Sequence, residues 1–151
     1  MERIAIIDVD GTLLAWRDRF ESWALKHKLI KAPDPNSYNF EAVEGVDINS
    51  IIHIFNETIH MSRLSPEPGA IKAVQRLHSE GFALKICSSF SAEYGSMRLR
   101  EKNLENVFGN IFSDYHFVPF KGPSETEDKI KYITSNIGDG KNDVYLFEDI
   151  S

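Results

Sequence analysis

Two carboxylates one residue apart close an apolar run near the start of the chain. In MERIAIIDVDGTLLAW, Ile4 to Ile7 lead straight into Asp8, and Asp10 is followed at once by Gly11 and Thr12. In extended backbone, residues i and i+2 point to the same side, so Asp8 and Asp10 converge just past the end of a strand. Carboxylates that close repel unless one is protonated or a cation sits between them. A donor set made only of oxygen favours Mg²⁺, and Gly11 allows the backbone to turn tightly and approach a ligand.

Two further apolar runs end in polar groups of the same kind. Phe82 to Cys87 meets Ser88 and Ser89, whose hydroxyls precede a helix N-terminus, a natural place for phosphate. Asp143 to Phe147 meets Glu148 and Asp149. Side by side, these ends would supply a nucleophile, oxygen ligands for a metal that offsets charge repulsion, and donors for phosphate oxygens. Phosphoryl transfer to a carboxylate needs that combination.

The elements that must position these groups can be read from the same pattern. Near-continuous apolar runs at 4–7, 82–87, 110–118 and 143–147 predict strands covered on both faces, as in a parallel sheet. Helices fit between them. One starts at Pro68-Gly69, carries Ile71, Val74 and Leu77 at helical spacing and stops at Gly81. A second runs from a Ser91 cap to about Asn103. A third carries Ile130, Ile133 and Ile137 and ends before Gly138, with Ser124 and Glu127 placed to form a capping box. Alternating strands and helices give a three-layer, Rossmann-like α/β fold with right-handed crossovers.

Between the first strand and the helix at Ala70 lie roughly 60 residues, far more than a crossover requires. They hold two expected helices, near Trp16–Ile30 and Asp47–Met61, joined by a loop with Pro33, Pro35, Tyr38 and Phe40. The expected organisation is an α/β core of residues 1–14 and 66–151 with a small helical cap, residues 15–65, above the carboxyl end of the sheet. Open α/β sheets bind ligands at that end.

Bulk properties narrow the classes. The 151 residues suffice for one domain with a core, at 42% hydrophobic and 26% charged residues. A net charge of −6 argues against broad nucleic-acid or membrane-surface binding. A single cysteine, Cys87, excludes an internal disulfide and suits a reducing setting. With no signal-peptide pattern and no run of membrane-spanning length, the expected location is the cytoplasm. There the sequon at Asn56-Glu57-Thr58 carries no meaning.

The segment Asp8-Val9-Asp10-Gly11-Thr12-Leu13 resembles the first motif (DxDGT) of the haloacid dehalogenase superfamily of phosphohydrolases. Ser88 after its apolar strand resembles the second motif, and Glu148-Asp149 the fourth, in matching order over nearly the whole chain. The resemblance implies Mg²⁺-dependent hydrolysis of a phosphomonoester. Asp8 would be the nucleophile that becomes an aspartyl-phosphate. Asp10 would be the general acid and then the base, and Ser88 would bind phosphate, with Ser89, Gly11 and Thr12 beside it. The metal would lie among Asp8, the backbone carbonyl of Asp10 and Asp149, with Glu148 adjacent. Dehalogenases of the superfamily typically lack the second aspartate, so its presence favours phosphate chemistry. The third motif is a lysine, with Lys121 and Lys129 both candidates.

The stretch Leu64 to Val74, with its Pro66-Glu67-Pro68-Gly69-Ala70, followed by Ile86-Cys87-Ser88-Ser89, is similar to the 5′(3′)-deoxyribonucleotidase branch. That branch typically has Thr-Ser where Ser88-Ser89 stands, and two aspartates where Glu148-Asp149 stands. It implies a nucleoside monophosphate as first substrate. Another small phosphorylated metabolite, or a catalytically silent binding module, is the alternative. Relatives normally continue past the fourth motif, so the chain reads as a fragment or an abbreviated core.

Other readings are weaker. An EF-hand needs glycine sixth and a late glutamate, whereas Gly11 is fourth and Leu13-Leu14 follow. Gly138-Asp139-Gly140-Lys141 lacks Walker spacing. Cys87 reads as core rather than nucleophile, and His53 and His60 as surface residues. Trp16, Phe20 and Trp23, at helical spacing, read as packing. Tyr38, Phe40 and Arg63 are candidates for a substrate pocket.

Overall fold

The computed structural model describes residues 1–32, 39–90, 94–119 and 124–148. In its first strand, β1 (Glu2–Ile7), Ile4 to Ile7 are apolar on both faces because both are covered. Ala5 and Ile7 join the large core, while Ile4 and Ile6 join a smaller cluster with Cys87. Next come α1 (Trp16–Lys26), α2 (Ile48–Asn56), a 3-10 turn (Ile59–Ser62), α3 (Ala70–Ser79), β2 (Ala83–Phe90), α4 (Tyr94–Phe108), β3 (Phe112–Pro119), α5 (Glu125–Ile137) and β4 (Asn142–Phe147). The strands are parallel and ordered β3-β2-β1-β4, the three-layer α/β arrangement expected from the sequence. β1 and β2 occupy the centre, so the ends that carry Asp8 and Ser88 are neighbours.

Some expectations shift in detail. The run at 143–147 is not covered on both faces: Tyr145 and Leu146 are 47% and 50% exposed. Among the described residues β4 is an edge strand paired only with β1, so less packs against it. The third helix does not bury its isoleucine row, since Ile130 is 55% exposed and Ile137 also lies open. α5 instead turns Tyr132 and Ile133 onto the sheet, with Asn136 buried one turn on. Asn136 is held there by Lys85, whose ammonium donates to its Oδ1 at 2.6 Å, and donates itself to the Tyr132 carbonyl. Lys129 is on this same i, i+3, i+4, i+7 stripe. Ser124 does stand at the N-cap of α5, but no capping box forms there; its hydroxyl donates to Asp128. Ser91, expected to cap α4, lies outside the described residues, and α4 runs on to Phe108.

The helical segment between β1 and α3 is tied to the sheet at its base. Ala15 N–H donates to the Ser65 carbonyl and Glu67 N–H to Leu13, so the outgoing and returning backbones are bonded to each other. Buried Asn103 of α4 clamps Leu64, accepting from its N–H at 2.8 Å and donating to its carbonyl at 3.1 Å. Phe20, Ile51, Phe55 and Met61 of this segment share one apolar cluster with β1, β2 and α4. Burying a side chain such as Phe20 contributes about 1.5–3 kcal/mol, so the segment is held by packing as well as by its backbone. Both helices start within one residue of the expected limits and end four and five residues short of them. α2 is capped by Asp47, whose carboxylate accepts from Ser50.

Candidate active site

Past Ile7 the chain leaves the strand and winds into a tight turn in which the N–H groups of Thr12, Leu13 and Leu14 all converge on the Val9 carbonyl. Gly11 takes φ +77° there, a left-handed conformation that residues with a Cβ resist. Asp8 remains in line with β1, its N–H donating to the Phe147 carbonyl at 2.9 Å. Its carboxylate receives hydrogen bonds from the Val9 N–H and from the Ser88 hydroxyl. The Ser88 hydroxyl also lies 3.4 Å from the Ser89 carbonyl, at the long end of hydrogen-bond range.

Asp8 and Asp10 both line a cavity of about 600 Å³ at the carboxyl end of the sheet, within the 300–1,000 Å³ typical of small-molecule sites. Ser88, Ser89 and Lys129 line it from the sheet side. Trp16, Phe40, Ile52 and Asn56 line it from the helical segment. Trp16 stacks on Phe20 at 4.8 Å and donates its indole N–H to Asn56 at 2.7 Å, so it combines a packing role with a place on the wall. Arg17 lies over the Phe40 ring at 4.2 Å.

The electrostatics follow from this crowding. Burial pushes the Asp8 carboxyl above its ordinary value of 3.8, and neighbouring Asp10 pushes it the same way. The Val9 N–H, the Lys129 ammonium and the Ser88 hydroxyl pull it back without cancelling the rise. Lys129 is thus close enough to act on Asp8 across the cavity floor. Cys87 next door is buried, which pushes its thiol up to about 11. It is a core group as expected, since the thiolate is the reactive form.

Other expected residues fall elsewhere. Thr12 does not face this cavity; it lines a smaller apolar groove with Ile7, Leu13, Ala70 and Val74, and its hydroxyl oxygen is buried with no hydrogen-bond partner among the described residues. Gly11 is exposed and serves the turn. Ser89 faces the cavity with its hydroxyl against the Glu125 carboxylate. Glu148 is exposed past the end of β4 and is not among the cavity's lining residues. Arg63 is likewise not among its lining residues and lies near His60. His60 is half-buried, with Nδ1 accepting from Arg19, while His53 is exposed beside Glu57. Lys121, Asp149 and Tyr38 lie outside the described residues.

Arg100 on α4 was not expected from the sequence. Its side chain is 0% exposed, and its guanidinium Nη2 stands 2.5 Å from Asp10 Oδ2. It also lies 4.5 Å from the centre of the Phe90 ring, which lines the cavity. None of its N–H groups is aligned on an acceptor among the described residues, so the contact is charge against charge rather than a directed hydrogen bond. The available signal was helical phase: Ser96, Arg100, Asn103 and Leu104 form one buried face of α4.

The donor chemistry fits Mg²⁺ in kind. Asp8 and Asp10 offer only oxygen, and both the burial that chiefly raises Asp8 and the lesser repulsion from Asp10 penalise a bare carboxylate, which a divalent cation would offset. Among the described residues no group of three or more His, Cys, Asp or Glu gathers to hold a metal, so a full set needs a ligand beyond them.

No family model matches the chain, and no curated protein matches it. Solved structures do. A class C acid phosphatase from Bacillus anthracis, with tungstate bound, superposes with a TM-score of 0.58 at 15% identity, covering 97% of this chain and 52% of its own. A protein assigned as a phosphoglycolate phosphatase from Lactobacillus delbrueckii subsp. bulgaricus gives 0.51 at 13% identity, covering 97% and 86%. The L-2-haloacid dehalogenase of Xanthobacter autotrophicus gives 0.50 at 13% identity, covering 97% and 69%. The architecture of this chain is therefore the haloacid dehalogenase-type α/β fold, and the chain spans about half the length of the acid phosphatase. No helix among the described residues is long and apolar enough to cross a membrane.

Proposed function

We propose that the chain is a phosphomonoester hydrolase of the haloacid dehalogenase type, dependent on Mg²⁺ and working through an aspartyl-phosphate. The observation that carries this reading is the meeting of the Asp8 carboxylate, the Ser88 hydroxyl and the Lys129 ammonium on the floor of one cavity, with Asp10 beside them. The Asp8 carboxylate attacks phosphorus, the bond from phosphorus to the leaving oxygen breaks, and Asp10 gives that oxygen its proton. Asp10 then takes a proton from water, whose oxygen attacks phosphorus. The acyl-phosphate bond breaks to release inorganic phosphate and restore Asp8. Ser88 and Lys129 hold the phosphoryl oxygens, Lys129 balancing charge that would otherwise repel the nucleophile. Asp8, the Asp10 carbonyl and Asp149 would hold Mg²⁺, which would neutralise that charge further.

Residues 15–65 act in this reading as a cap over an α/β core of residues 1–14 and 66–151. The wall that Trp16 and Phe40 build, with amide side chains such as Asn56, suits a flat, hydrogen-bonding group on the phosphate ester. This supports a nucleoside monophosphate, as the 5′(3′)-deoxyribonucleotidase likeness implies, over a sugar phosphate. The test is turnover of p-nitrophenyl phosphate with and without Mg²⁺, by the native chain and by Asp8→Asn. Mg²⁺-dependent turnover that Asp8→Asn reduces to background is expected. A folded native chain without such turnover would instead be a binding module. Screening phosphomonoesters then decides the substrate, and a preference for sugar phosphates over deoxynucleotides would overturn the nucleotidase part alone.

A further inference from the structure

We infer that Arg100 is a positioning residue for Asp10: a buried guanidinium that fixes the carboxyl which handles the leaving-group proton. This inference rests on the phosphatase reading above. A fully buried arginine is uncommon, because an unpaired charge inside a protein is costly. Arg100 is 0% exposed, and Asp10 is the only carboxylate that forms an ion pair with it among the described residues. The remaining neighbour described for its charge is the Phe90 ring, 4.5 Å away, which is itself buried and lies between α4 and the cavity.

The arrangement is stiff. Arg100 sits one turn before Asn103, whose two bonds to the Leu64 backbone fix α4 against the segment above the site. Phe90 leads directly from Ser88 and Ser89 on β2. The guanidinium is therefore fixed relative to both the phosphate-binding strand end and the roof of the cavity. Asp10 lies outside the regular part of β1, in the turn that follows it, and the described residues give its side chain no other ion-pair partner. Contact of Arg100 with Oδ2 selects one rotation of the carboxyl and leaves Oδ1 free of hydrogen bonds among the described residues. A group that must face the leaving oxygen in one half-reaction and water in the next gains from such anchoring, because misplacement by about 1 Å costs catalysis heavily.

The test compares p-nitrophenyl phosphate, whose leaving group departs without help, with phenyl phosphate, which has nearly the same shape but needs a proton. The kcat/KM value reports only the steps up to the first chemical transfer, so the later role of Asp10 does not enter it. For Arg100→Met we expect kcat/KM on phenyl phosphate to fall about tenfold or more, within the range of general acid catalysis, while p-nitrophenyl phosphate changes less than about threefold. Arg100→Lys, which keeps the charge, should recover part of the difference. In an Asp10→Asn background, Arg100→Met should have no further effect.

Equal loss on both esters, or an undiminished loss in the Asp10→Asn background, would make Arg100 merely structural and overturn the inference. So would native-like values for Arg100→Met on both. If Arg100→Met does not give native circular dichroism, Arg100→Lys carries the same comparison of esters. A native chain inactive on both esters with Mg²⁺ would overturn the phosphatase reading itself, which is distinguishable from a failure of Arg100 alone.

Discussion

Removing Asp10 should weaken the fold sharply, an unusual outcome for a side chain at the mouth of a site. At the observed separation of 2.5 Å, two unit charges in an effective dielectric of about 20 attract by roughly 7 kcal/mol, before desolvation is subtracted. The net worth of the pair is far smaller. The cost of breaking it is not, because Arg100 is 0% exposed and has no other acid partner among the described residues. Stranding a buried charge typically costs about 3–5 kcal/mol. For a chain of this size each kcal/mol moves the melting temperature by about 2–4 °C, so Asp10→Ala should melt roughly 6–20 °C below the native chain. Relief of the repulsion between Asp8 and Asp10 works against this and places the expected loss toward the lower end. The two partners are not equivalent, since the Asp10 side chain is 37% exposed and water can solvate it once Arg100 is gone. Arg100→Met should therefore cost less than Asp10→Ala. The double variant should recover most of the Asp10→Ala loss, giving a favourable coupling in a thermal or urea cycle. Asp10→Ala melting within about 2 °C of native, or a double variant less stable than Asp10→Ala alone, would refute the reasoning.

Asp8 should behave oppositely. Its folded carboxyl titrates above the unfolded value of 3.8, chiefly because it is buried, so the native state holds its proton longer than the unfolded state. Its contribution to stability therefore falls as pH rises from that unfolded value through the raised folded value, and the deficit is complete above the latter. In chelator-treated protein, Asp8→Asn should be the more stable form at pH 7, with the difference vanishing below about pH 4 in a denaturation series. Native protein that loses no ground to Asp8→Asn over that range would contradict the burial argument. Cys87, with its thiol pushed from 9.0 up to about 11, should react with a thiol reagent at pH 8 on the order of 100-fold more slowly than an unfolded cysteine. Labelling at the unfolded rate, read by mass spectrometry without denaturant, would show that β2 opens far more readily than its central position implies.

The parts of this molecule that depend on near neighbours in sequence could be read without coordinates. Ile4 to Ile7 are apolar on both sides because β1 is covered on both sides, and Asp8 and Asp10 line one cavity, as the alternation of extended backbone predicts, although Asp10 already belongs to the turn after β1. The order of apolar runs and helical stretches yielded the parallel sheet for the same reason. What depended on the phase of a helix was harder. Three isoleucines at helical spacing suggested the buried face of α5, yet Tyr132, Ile133 and Asn136 take that face and Ile130 stays exposed. Asn136 competes because its amide can be satisfied by Lys85 and by the Tyr132 carbonyl, so a polar side chain is no liability there. Thr12 shows the limit from the other side. It belongs to the motif by sequence, but the turn around Val9 sends it toward α3, away from the cavity.

Arg100 combines both difficulties. Nothing within its own stretch of sequence marks it, because arginine on a helix is ordinarily solvated and its partner lies 90 residues earlier. Only with α4 in place do Ser96, Arg100 and Asn103 prove to be polar groups on a buried face, each of which calls for a partner. Asn103 finds one in the Leu64 backbone, which fixes the helical segment, and Arg100 finds one in Asp10, which fixes the site. The same helix face thus sets the height of the roof and the orientation of the acid beneath it. A change that tilts α4 should disturb both together, whereas a change confined to the outer surface of the helical segment should disturb neither.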